Sequence, residues 1–118
     1  MSDYRNLEVW KKGRALTAEV YRVTAQFPRS EMFGVTSQMR RAALSIVLNV
    51  AEGTGRWTAR DQASFIVTAS ASAHELEAVL YLAEDLRYIT TEESASLRKR
   101  TNEVGRMLNG MLRFYRKI

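Results

Sequence analysis

Gln38-Met39-Arg40-Arg41-Ala42-Ala43-Leu44-Ser45-Ile46-Val47-Leu48-Asn49-Val50-Ala51-Glu52-Gly53, wound into a helix, is apolar in two opposite directions. At about 100° per residue, Val35, Met39, Ala42, Ala43, Ile46 and Val50 share one side, and Leu44, Leu48 and Ala51 fall roughly opposite. The first side suffices for a core, and the second needs a partner of its own. A central helix could meet several neighbours of its own chain. A small four-helix bundle encloses no helix fully, however, so Leu44, Leu48 and Ala51 are read as a subunit interface.

Outward from this segment, the same 3.6-residue period repeats. Strand-like alternation is absent, and a single proline, Pro28, interrupts the chain. The spacing predicts four helices, at about 7–25, 34–52, 59–86 and 92–115, in one domain over 1–118. Pro28 ends the first by forcing Phe27 out of helical geometry. Gly53 and Gly55 are read as left-handed closers of the second. Thr58 with Asp61, and Thr90 with Glu93, resemble capping boxes that open the third and fourth. The inward stripes are Val9, Leu16, Val20, Val23 and Phe27 on the first helix, and Gln62, Phe65, Ala69, Ala73, Leu76, Leu80 and Ala83 on the third. On the fourth they are Leu97, Thr101, Val104, Leu108, Met111, Leu112 and Tyr115. The fold class is all-α, an antiparallel up-down-up-down four-helix bundle.

Composition narrows the function. There is no cysteine and one histidine, His74, which excludes disulfide and thiolate chemistry and leaves little for a zinc site. His74-Glu75-Leu76-Glu77-Ala78 lacks the second histidine of a zinc-protease helix, and Ala71 stands where a di-iron Glu-x-x-His pair would need glutamate. Gly53-Thr54-Gly55-Arg56 lacks the Lys-Ser/Thr ending of a phosphate loop. No nucleophile stands beside a base, so neither a catalytic residue, a metal nor a cofactor is expected. No basic segment followed by an apolar run opens the chain, and no stretch is long enough for a bilayer, so a cytoplasmic, non-membrane protein is expected.

The net charge of +5 is unevenly spread. From Ser94 onward seven cations face Glu103 alone. Of these, Arg98, Lys99, Arg106, Arg113, Arg116 and Lys117 fall within an arc of about 100°, away from the apolar stripe. Such a ridge suits phosphate backbones of RNA or DNA; its plainer reading is a solubilising outer face. No aromatic residues are seen to interleave with it, so base stacking is not expected. Asn49 and Glu52 are read as structural ties, with Arg41 as a partner, and Glu75 and Glu77 as partners for arginines of neighbouring helices or subunits. A small-molecule site would instead need a closed polar pocket around Asn49, Glu52 and Glu75.

Leu7-Glu8-Val9-Trp10-Lys11, Val20-Tyr21, Phe27-Pro28, Gln38 to Ile46, Asn49-Val50-Ala51-Glu52-Gly53 and Glu75-Leu76-Glu77 resemble, in order and spacing, the bacterial four-helix proteins encoded in intervening sequences of 23S ribosomal RNA genes. That family is similar in turn to the accessory variability proteins of diversity-generating retroelements, which are basic pentameric rings. The resemblance implies that Arg40, Arg41, Asn49, Glu52, Gly53, Glu75 and Glu77 are signature positions. It also implies a homo-oligomer, a pentamer, whose partners are nucleic acid and, by analogy, a reverse transcriptase or other nucleic-acid enzyme. Gly13, where alanine is usual in the family, and Ala71-Ser72, where Gly-Ser is common, depart from the pattern. The competing reading is a purely structural or protein-interaction oligomer.

Overall fold

The computed structural model describes residues 3–117; Met1, Ser2 and Ile118 lie outside it. Four helices run in sequence: α1 (Glu8–Thr24), α2 (Val35–Thr54), α3 (Ala59–Asp85) and α4 (Thr91–Arg116), with short 3-10 turns at Tyr4–Asn6 and Arg29–Glu31. Each helix runs beside two neighbours, the diagonal pairs α1–α3 and α2–α4 stand further apart, and all four contribute to one core. Successive helices are antiparallel, as their short connections demand, and the body measures 45 × 21 × 20 Å.

The core falls into layers because each helix buries residues at alternating steps of three and four. On α1 these are Val9, Gly13, Leu16, Val20 and Val23; on α2, Met39, Ala43, Ile46, Val50 and Gly53. On α3 they are Ile66, Ala69, Ala73, Leu76, Leu80 and Ala83, and on α4, Ser94, Leu97, Thr101, Val104 and Leu108. This seven-residue repeat is the one that keeps a seam facing its partner helix in left-handed bundles. Ile66, fully buried, replaces the expected Phe65, which is only half-buried. The period is blurred because α3 also carries Val67 and Leu82 on its exposed side.

Of the two expected capping boxes one is complete and the other half-formed, since the short Asp61 side chain makes no return bond to the Thr58 N–H. Thr58 Oγ accepts from the Asp61 N–H, and Thr90 with Glu93 makes a reciprocal capping box. The second helix ends differently from expectation, since no glycine in the described chain has positive φ. Gly53 lies inside α2, where an added Cβ would come 2.9 Å from Phe65 Cβ and 3.2 Å from the Gln62 carbonyl. It is glycine because α3 passes too close for a side chain. Gly13 does the same at α1, where a Cβ would sit 2.8 Å from Val47 Cγ1. α2 is thus drawn tightly against both neighbours. Across its seam with α3, Ser72 Oγ donates to Ser45 Oγ at 2.7 Å, and within α2 the Asn49 amide donates to the Ser45 carbonyl and hydroxyl.

Candidate nucleic-acid interface and subunit face

The cations of α4 divide into two groups. Lys99, Arg106, Arg113, Arg116 and Lys117 are exposed and form no ion pair or side-chain hydrogen bond among the described residues. Arg98 is committed elsewhere. Its Nε donates to Ser94 Oγ at 3.1 Å and its Nη1 to the Tyr81 hydroxyl at 2.9 Å, while the guanidinium lies 4.1 Å from the Tyr81 ring centroid. Glu84 lies 3.5 Å away as an ion pair without hydrogen-bond geometry. Arg98 therefore pins α4 to α3, because its position at the edge of the arc faces the neighbouring helix.

Antiparallel packing brings more positive charge to the same half of the body. Residues 3–15, 45–72 and 105–117, which hold the α2–α3 turn and the end of α4, carry ten cations against four carboxylates, or +6. The opposite half, 16–44 and 73–104, carries eight against nine, or −1. The net charge thus sits at one end of a 45 Å rod. Aromatic surface accompanies it, contrary to the sequence reading. Trp57, 93% exposed in the α2–α3 turn between Arg56 and Arg60, and Phe114, 60% exposed between Arg113 and Arg116, are both on this half. Trp57 was legible as a loop tryptophan flanked by arginines.

Other arginines are stacked and spent. Arg40 lies 4.6 Å from the Tyr21 ring and donates to Thr24 Oγ, joining α2 to α1. Arg56 lies 4.6 Å from the Phe65 ring and 2.6 Å from Glu52 Oε1, so Glu52 closes the end of its own helix instead of meeting Arg41. Arg41 is exposed, Glu75 is exposed and Glu77 half-buried, and no ion pair forms to any of the three among the described residues. The neighbours expected for Glu75 and Glu77 are therefore absent from the chain's own helices. Asn49 spends its amide within α2, and Glu52 is paired with Arg56.

The second face of α2 is graded. Leu44 and Ala51 are half-buried, since the α1 side of the helix shelters them, whereas Leu48 is 62% exposed. Electrostatic pairing is otherwise local. The Lys12 ammonium, hydrogen-bonded to Glu103 at 2.6 Å, holds that carboxyl below the usual carboxylate range, and is itself raised. Tyr88, whose hydroxyl donates to Glu31 at 2.7 Å, is pushed above the usual phenol range by that bond and then by burial. No group of histidine and carboxylate side chains that could hold a metal occurs among the described residues, and no helix is long and apolar enough to cross a membrane.

The chain is similar in fold to a solved crystal structure, that of a protein of unknown function from the S23 ribosomal protein family of Bacteroides thetaiotaomicron. The two are 22% identical, with a TM-score of 0.79 over 88% of this chain and 97% of that one. No curated protein matches the sequence. The family model described as 23S rRNA-intervening sequence protein matches residues 5–110. The block from Gln38 to Gly53 and the Glu75-Leu76-Glu77 triplet fall within that span. With nearly its whole length matched, the chain belongs to the 23S rRNA-intervening sequence protein family.

Proposed function

We propose that this protein is a non-enzymatic, oligomeric bundle that binds RNA or DNA without strict sequence preference through its basic half. The observation that carries the reading is the separation of charge, +6 against −1, along the rod. Arg106, Arg113, Arg116 and Lys117 extend freely on this half, and Lys99 continues their line just beyond it, so counterion release on phosphate contact is available to each of them. Trp57 and Phe114 supply the stacking surface that tolerates any base. A merely solubilising charge would need neither the segregation nor the exposed rings.

The test is a titration of fluorescently labelled single-stranded and duplex oligonucleotides at increasing salt. Each phosphate neutralised contributes a slope of about −0.7 on single strands and about −0.9 on duplex in log affinity against log salt. Reversing Arg60, Arg113, Arg116 and Lys117 to Glu removes most of that slope and lowers affinity for every sequence alike. Binding insensitive to both salt and these substitutions overturns the reading.

A further inference from the structure

A cavity of about 220 Å³ lies open between α3 and α4, at mid-height of the bundle. Gly105 forms part of its wall, and nothing else in the structure explains that glycine. Its backbone is ordinary helix, and an added Cβ would meet no atom within 4 Å. A glycine inside a helix costs about 1 kcal/mol relative to alanine, so helix stability argues against it. The missing side chain widens the groove, as glycines do where another molecule approaches the backbone.

Of the polar side chains that line the groove, His74 and Asn109 bond to Ser70, and three have their hydrogen-bonding capacity unused. Glu77 on α3 and Asn102 and Arg106 on α4 form no side-chain hydrogen bond or ion pair among the described residues. The combination is selective. Glu77 accepts only and repels an anion, so a bare phosphate does not suit the floor. Arg106 repels a cation. A neutral planar ring with an amine donor, attached to a phosphate, satisfies both. Asn and Glu are also the residue types that read base edges, which single strands leave accessible. The volume lies below the usual range for drug-sized ligands and suits one ring system. Lys99 and Arg113 stand seven residues either side of Arg106, about 10 Å along the helix, so the groove interrupts a line of phosphate contacts.

We propose that this groove receives one base of a single-stranded nucleic acid, Glu77 accepting from its exocyclic amine while Arg106 holds the adjoining phosphate. Adenine, cytosine and guanine carry that amine; uracil and thymine do not. The inference rests on the nucleic-acid reading above and adds a base preference to it.

The experiment compares fluorescein-labelled oligo(C) and oligo(U) of equal length at one salt concentration. The wild type is expected to bind oligo(C) about tenfold more tightly, within the discrimination of one good base contact. Glu77→Gln, whose amide both donates and accepts, brings the two affinities together. Gly105→Leu, which fills the groove from a position with no neighbour to displace, does the same. Both variants keep the salt slope. Equal wild-type affinities with an intact salt slope overturn the groove assignment and leave the charge-based reading standing, as does a preference that persists in both variants. Absence of binding to either oligonucleotide overturns the reading beneath it as well.

Discussion

Single residues set the spacing of the helices. Gly13 is the position where α1 comes closest to α2, and alanine there gains helix propensity of about 1 kcal/mol while forcing Val47 aside, an overpacking worth about 1–3 kcal/mol. Gly13→Ala should therefore lower the urea-unfolding free energy by about 1 kcal/mol. Because the two side chains collide, combining it with Val47→Ala should cost less than the two changes added separately. Arg87 is another such position. It adopts φ 62° and closes α3 with the Tyr88 N–H on the Ala83 carbonyl and its own N–H on the Glu84 carbonyl, the pattern glycine usually serves. Next to it, the Tyr88 hydroxyl bridges to Glu31 and so joins the two loops at that end. Its titration is raised in the folded chain, so this bond contributes fully below pH 10 and is lost as pH rises through the raised value. Denaturation between pH 9 and 12 should show a steeper loss of stability for wild type than for Tyr88→Phe.

At the scale of elements, α1 and α4 were readable almost to the residue, because each has one apolar stripe and clear end signals in Pro28 and the Thr90–Glu93 box. α2 and α3 were readable as helices and less so as surfaces. Val47, between the two stripes of α2, is buried by Gly13, and Ile66 was hidden among α3's outward apolar residues. Arg98 looked like part of a ridge on the projection, yet its neighbour across the seam, Tyr81, is seventeen residues away in the chain and no periodicity reveals it. Long-range pairing of side chains is where one-dimensional reading ran out. The outward face of α2 carries its own expectation. Leu48, exposed and flanked by half-buried Leu44 and Ala51, is the contact point expected between copies. Leu48→Glu should reduce the mass seen by light scattering toward that of one 13.5 kDa chain, with the helical circular dichroism unchanged. A wild-type monomer at micromolar concentration would sink the interface.

For the whole molecule, the closest helix approaches and the row of exposed cations fall on different helices of the same half. α2 is held against both neighbours by Gly13, Gly53 and the Ser45–Ser72 bond, whereas the α1–α4 seam is the sparsest of the four and α4 contains Gly105 and Gly110. Lys99, Arg106, Arg113, Arg116 and Lys117, all exposed, ride on α4 and its end. Amide hydrogen exchange makes the consequence visible. Protons of Ile46 to Val50 should exchange last, through opening of the entire bundle, and those beyond Gly110 should exchange first, by fraying of a loosely held last stretch. On the proposed reading, added oligonucleotide should slow exchange in that last stretch, so the same amides that fray in the free chain would report capture.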